Sequence, residues 1–284
     1  MRKAIDTGKS RSACGRARIE WTVALLAVLS IGSAVARGQG AATAQPVPGI
    51  PWSEQKSGLE FLTPSTRARQ NDLAQNPGML WVDDGTQLWN KPVGQAGKSC
   101  ASCHGAPASM KGVAARYPAW DAKAGRLHNL ETRIQNCRVE HQKGEPLAAE
   151  SEALLSLTAV VAYQSRGMPM SPSVEGPARA PFDQGRALYH ARIGQLNLSC
   201  AQCHDQNWGR RYRAEVVSQG QSNGYPLYRL EWQTMGTLYR RIRGCFNSVR
   251  ARPPEHGDRE HLALELYLAW RAKGLPVESP AIRR

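Results

Sequence analysis

Two stretches of the chain, residues 150–164 and 259–272, are free of glycine and proline and carry apolar residues at helical spacing. Each runs into a Gly-x-Pro stop, Gly167-Met168-Pro169 and Gly274-Leu275-Pro276, so the pattern predicts two helices with matching ends. Shorter helical patterns at 83–90 and 183–191 predict a helix ahead of each half. Between the halves, residues 171–181 hold Pro172, Pro177 and Pro181 and read as a linker.

The remaining apolar run, 21–31, has a different setting. Arg2, Lys3, Lys9, Arg11, Arg16 and Arg18 precede it and Ala34-Val35-Ala36 follows, the layout of a secretory signal peptide (1–36) cut near Arg37. The run is too short for a bilayer core of about 30 Å, so export to the periplasm is expected, with no membrane span after processing. An amino-terminal extension follows over 37–78. Its start, 37–50, is rich in Gly, Ala, Gln and Pro and is expected to be partly disordered, and no pattern places 51–78.

The halves are copies. Gly85, Leu88, Trp89 and Cys100 recur at an offset of 100 as Gly185, Leu188, Tyr189 and Cys200. Tyr117-Pro118 and Arg133-Ile134-Gln135-Asn136-Cys137 recur at 108 as Tyr225-Pro226 and Arg241-Ile242-Arg243-Gly244-Cys245, so the second copy has a loop eight residues longer. At the end Tyr163 and Gly167 match Trp270 and Gly274 at 107. The expectation is a mainly α chain of two tandem domains of one fold related by duplication, 79–172 and 173–284.

Cysteine usage gives the copies their chemistry. Cys14 falls in the leader, and four of the remaining six form Cys100-Ala101-Ser102-Cys103-His104 and Cys200-Ala201-Gln202-Cys203-His204. Cys-x-x-Cys-His supplies two thiols for the vinyl groups of a porphyrin and an imidazole for its iron, so two covalently bound haem c groups are expected, on Cys100, Cys103 and His104 and on Cys200, Cys203 and His204, and the two tandem domains are expected to be class I cytochrome c-like, the second (173–284) holding the active site. A four-cysteine zinc site is disfavoured because each copy repeats a complete unit, and a redox dithiol because no βαβ context surrounds it. Aromatic content of 7% is thin for this length, which a large apolar cofactor would offset.

A sixth iron ligand commonly comes from Met or His on the far side of the pocket. The first copy offers His128, Cys137 and His141 there, and the second Met235, Cys245 and His256. Only Cys137 and Cys245 coincide under the repeat. Met168 follows the last helix and faces Leu275 in the alignment. A Cys137–Cys245 disulfide is the competing use of these thiols in an exported protein, though each copy already has a full set. Thiolate ligation would lower both haem potentials.

With two Cys-x-x-Cys-His motifs, each followed by Arg-Ile-x-x-Cys, behind a signal peptide, the chain resembles the SoxA family, the dihaem subunits of SoxAX cytochromes in bacterial sulfur oxidation. The resemblance covers about residues 50–280 and is most specific over 241–247. It implies L-cysteine S-thiosulfotransferase activity: thiosulfate is joined oxidatively to a cysteine on the swinging arm of SoxY in the SoxYZ carrier, and two electrons leave through haem to a cytochrome c. It implies SoxX as the partner subunit, Cys245 as the catalytic cysteine, iron-bound and carrying a persulfide, and Arg241 as the substrate-binding residue.

The residues suit that chemistry. A guanidinium takes two oxygens of a sulfonate in a bidentate grip, and a spacing of four sets Arg241 and Cys245 on one helix face. A haem-propionate contact is the other use of Arg241, and Arg133 in the first copy suits that role. Losing residues 1–36 leaves 31 Lys and Arg against 21 Asp and Glu, so the formal charge falls from +14 to +10. Such a surface serves an anionic substrate or an acidic partner, and export excludes nucleic acid. Two other functions remain open: a dihaem electron carrier without its own substrate, and a thiosulfate dehydrogenase that makes tetrathionate.

Overall fold

The structure, a computed structural model, describes residues 49–212 and 214–284; the leader and the first part of the extension lie outside the described residues. Nine α-helices are present among them: α1 (Pro64–Asn71), α2 (Met79–Asn90), α3 (Ala101–His104), α4 (Leu130–Asn136), α5 (Glu152–Tyr163), α6 (Arg179–His190), α7 (Cys200–His204), α8 (Leu238–Ser248) and α9 (Arg259–Arg271). Short strands punctuate them: β1 (Ala119–Asp121), β2 (Arg126–His128), β3 (Arg211–Tyr212), β4 (Glu215–Val216), β5 (Leu227–Arg229), β6 (Thr234–Gly236) and β7 (Ala281–Arg283).

The two long predicted helices form as α5 and α9, each capped by the side chain before it, Ser151 and Asp258. α5 is apolar on nearly every side, α9 carries His261, Glu265 and Arg271 inward among its apolar residues, and both are buried, with Leu154, Ala159, Ala263 and Leu266 at 0% exposure. Each buried leucine stabilises the fold by about 1.5–3 kcal/mol. The helices that lead to the motifs begin earlier than the pattern predicts, at Met79 and Arg179 rather than 83 and 183. Pro181 therefore sits in the first turn of α6 and not in a linker, because the first-turn N–H that proline lacks would have no intrahelical partner.

Helix α2 packs on α5, and α6 on α9, through glycine. A Cβ on Gly85 would stand 2.1 Å from the Ser156 carbonyl oxygen, and one on Gly185 would stand 1.9 Å from that of Ala263. Only glycine lets the backbones approach this closely. The β1–β2 hairpin pairs Ala119 with His128 and Trp120 with Leu127; the β5–β6 hairpin pairs Leu227 with Gly236 and Tyr228 with Met235. In the second half β7 adds to β5 in parallel.

At the ends of α5 and α9 the Gly-x-Pro segments lie against each other. Gly167 N–H donates to Val277 and Gly274 N–H to Met170, while Val277 N–H donates to Met168 and Met170 N–H to Leu275, at 2.8–2.9 Å. The extension, unplaced by its sequence, straps the second half. Gln70 Oε1 accepts from Ile282 N–H at 2.9 Å, Asn76 Nδ2 donates to Pro280 O at 2.8 Å, and Trp52 packs edge-on against Trp270.

Candidate active site

Both Cys-x-x-Cys-His motifs occupy a single helical turn, which puts two thiols and an imidazole on one short element. The turns are set by capping side chains. Ser199 accepts from Gln202 N–H at 3.3 Å, and Ser99 from Ser102 N–H at 3.1 Å. The loop before each turn is held by the backbone beyond the repeated cysteine: Ala96 N–H donates to Gln142 O in the first half, and Leu196 N–H to Val249 O in the second.

In the second half α8 carries Arg241 and Cys245 one turn apart and brings Cys245 to α7. His204 lies close to the Cys245 thiol, and its Nδ1 lies 2.8 Å from the Ser218 carbonyl oxygen. A proton on Nδ1 satisfies that carbonyl and leaves Nε2 as the nitrogen able to ligate a metal. Gly220 permits this placement: its φ is +70°, and a Cβ there would sit 2.9 Å from His204 Cγ. Burial alone would raise the Cys245 thiol, but the nearby His204 and the charges of Arg241 and Arg229 outweigh it and hold the thiol below its ordinary value. Cys200, buried and facing Cys245, is pushed up to about 12.

Arg241 does not stand alone. Its Nη2 lies 3.5 Å from Glu215 Oε2 on the β3–β4 hairpin, while Glu215 Oε1 is held at 2.5 Å by Arg229 Nη2 of β5. Ser218, Gly220, Arg229 and Glu215 belong to no motif, and the sequence reading passes over them. The one available signal was the 108 offset, which sets Arg229 against Asp121 of the first hairpin.

The first half assembles Cys100, Cys103 and Cys137 in the same relation but with different electrostatics. Cys137 begins a π-helical turn, Cys137–His141, at the end of α4. Burial raises its thiol, and the nearby Arg133 only partly offsets this. Arg133 is neutralised one-to-one by Asp121 at 2.5 Å. His104 packs beside Trp89, whose Nε1 donates to Gly105 O at 2.8 Å.

The other candidate ligands are engaged elsewhere. His128 Nδ1 lies 3.2 Å from Thr132 Oγ1, Met235 is buried in the core with Val82, Trp89 and Leu155, and His256 packs on Tyr239 and His261. His141 is exposed, and Met168 rests against Gly112. Cys137 and Cys245 are not joined to each other; all six described cysteines are free thiols. Among the described residues no three His, Cys, Asp or Glu side chains converge as a bare metal site. A thiol pair three residues apart, an imidazole with Nε2 left to ligate and a glycine under its ring fit covalently attached haem.

Comparison with known proteins accords with this donor set. A family described as "SoxA/TsdA, cytochrome c domain" matches residues 84–170. The L-cysteine S-thiosulfotransferase subunit SoxA of Pseudaminobacter salicylatoxidans is 44% identical over 238 residues, 83% of each chain. The chain belongs to the SoxA family. The SoxA subunit of Rhodovulum sulfidophilum is 40% identical over 233 residues, covering 82% of this chain and 81% of that one. The crystal structure of SoxXA from P. pantotrophus superposes with a TM-score of 0.78 at 39% identity, covering 80% of this chain and 86% of that one. The SoxA assignment therefore carries the cytochrome c domain and covalently bound haem c. Among the described residues no helix is long and apolar enough to cross a membrane.

Proposed function

We propose that this chain is the haem-bearing subunit of a periplasmic SoxAX L-cysteine S-thiosulfotransferase, exported with cleavage near Arg37, which pairs with SoxX and conjugates thiosulfate to a cysteine of SoxY in the SoxYZ carrier. The observation that carries this reading is the convergence of Cys245, His204 and Arg241, with a guanidinium one helical turn from a sulfur whose thiolate form is favoured. Arg241 binds the sulfonate oxygens of the dianion and sets its outer sulfur beside Cys245 Sγ. The net change joins thiosulfate and a carrier thiol through a new S–S bond, releasing one proton and two electrons. Two haems, one held by Cys100, Cys103, His104 and Cys137 and one by Cys200, Cys203, His204 and Cys245, would supply the electron acceptors. The Nδ1 contact of His204 with Ser218 leaves Nε2 as the nitrogen that would hold the iron.

The two-haem reading rests on duplication, with domains at 79–172 and 173–284. Its support is the shared register of the hairpins, the paired Gly85–Ser156 and Gly185–Ala263 contacts, and the reciprocal bonding of the Gly-x-Pro segments. A plain electron carrier would have no use for two arginines beside a half-buried cysteine. Intact mass of the mature protein should equal the processed chain plus two haems, with one further sulfur where Cys245 is a persulfide. With thiosulfate and cytochrome c, product should appear as carrier conjugate. Tetrathionate formed equally well without the carrier would replace this reading with the dehydrogenase.

A further inference from the structure

One buried cation of the second half has no counterpart in the first. Arg229 is 4% exposed, and arginine is buried to that degree only when its charge is answered. The position equivalent to it in the first hairpin is Asp121, which makes a closed pair with Arg133. Reversing that charge leaves the second half with two guanidiniums beside the cysteine. We propose that Arg229 and Arg241 form one two-guanidinium receptor for the sulfonate end of a dianion, and that Glu215 is its resting occupant, displaced when substrate binds. This rests on the reading of Cys245 and Arg241 given above and adds to it Arg229 as a second positioning residue and Glu215 as an internal competitor.

Glu215 is placed as a stand-in anion would be. Its two oxygens are divided between the arginines, Oε1 on Arg229 at 2.5 Å and Oε2 on Arg241 at 3.5 Å. The second contact is too long for a strong hydrogen bond, so Arg241 is the side from which the carboxylate is displaced. Arg229 also lies 3.4 Å from Glu231 and over the Trp232 ring, and its Nε is buried with no hydrogen-bond partner, leaving a donor unspent within the protein. Glu215 belongs to the β3–β4 hairpin, which lies between the second motif and Tyr225, within the interval lengthened by eight residues relative to the first half. Both guanidiniums bear on the Cys245 sulfur. Glu231 is half-exposed, so water screens its share of Arg229; a dianion held between the two arginines therefore answers them more fully than the single charge of Glu215, and the receptor selects doubly charged oxyanions over monoanions. No covalent step is involved.

Equilibrium binding of sulfate, a dianion that cannot be oxidised further, to the purified haem-loaded complex tests this by titration calorimetry, alongside KM for thiosulfate. Glu215→Gln should tighten sulfate binding about five-fold or more and lower KM by a similar factor, the change falling on KM rather than kcat. Arg229→Gln should weaken binding about ten-fold or more, as loss of a charged hydrogen bond does, with Arg229→Lys between it and wild type. Because burial of Arg229 makes its variants vulnerable to misfolding, Glu215→Gln decides alone where their haem content falls. Unchanged sulfate affinity in Glu215→Gln overturns the proposal. Affinities in the stated order without carrier-dependent turnover in wild type keep the receptor and reject the transferase reading instead.

Discussion

The two halves place a cysteine opposite a Cys-x-x-Cys-His turn in the same way and differ in the charges around it. Arg133 answers Asp121, and Cys137 is raised by burial; Arg241 shares Glu215 with Arg229, and Cys245 is lowered despite burial. A single exchange of sign, Asp121 against Arg229, accompanies that divergence. One scaffold thus provides a neutral environment that suits electron storage and a cationic one that suits an anionic substrate, without a change in backbone register.

The largest test of that contrast is removal of the two cysteines. Cys245→Ala should lower thiosulfate-dependent turnover by about a hundredfold or more, while Cys137→Ala retains most of it, both keeping two haems by intact mass. Equal losses would mean the halves are equivalent. Next come the arginines. Arg241→Ala should cost about ten- to a hundredfold in kcat/KM, the value of charge-assisted hydrogen bonds, and Arg133→Ala less than about two-fold. The glycines test what the halves share. Gly85→Ala and Gly185→Ala each drive a methyl into a carbonyl and should destabilise by about 1–3 kcal/mol or more, to a similar extent in thermal melts.

The last contrast is Glu131, which occupies the place of Tyr239. Burial, with the charge of Glu265 adding, pushes Glu131 up to about 8. The folded state therefore keeps a proton that the unfolded chain releases near its ordinary value of 4.5. Stability from this residue is fullest below that value and declines as pH rises towards about 8. Glu131→Gln should flatten the decline in denaturant midpoints measured at pH 5 and pH 8.5.

Much of this arrangement is legible in the sequence because it is written in local spacing. The motif turns, the apolar runs that become α5 and α9, and the paired Arg-Ile-x-x-Cys segments need only neighbours along the chain. Repetition also makes Cys137 and Cys245 visible as partners, since His128 and Met235 lack a match. Contacts from distant segments are not legible. Glu215 reaches Arg241 from a hairpin 26 positions earlier, and Ser218 orients His204 from 14 positions later. The extension was unassigned for the same reason, because its hydrogen-bond partners, Glu278 and Pro280 among them, lie over 200 positions away. Pro181 misled because proline ends patterns in general but is tolerated in a first turn.

Ser57 to Glu278 and Asn76 to Pro280 join segments 221 and 204 positions apart, and β7 is completed by Gln70. The second half is therefore a ring closed by a clasp rather than a module that can be cut out. Excising residues 49–76 should loosen β7, read by amide exchange at Ile282, and clipping residues 278–283 should free α1, read by amide exchange across Pro64–Asn71. Loop closure over so long a span is entropically slow, so the basic site around Cys245 should be the last region of the chain to become rigid during folding.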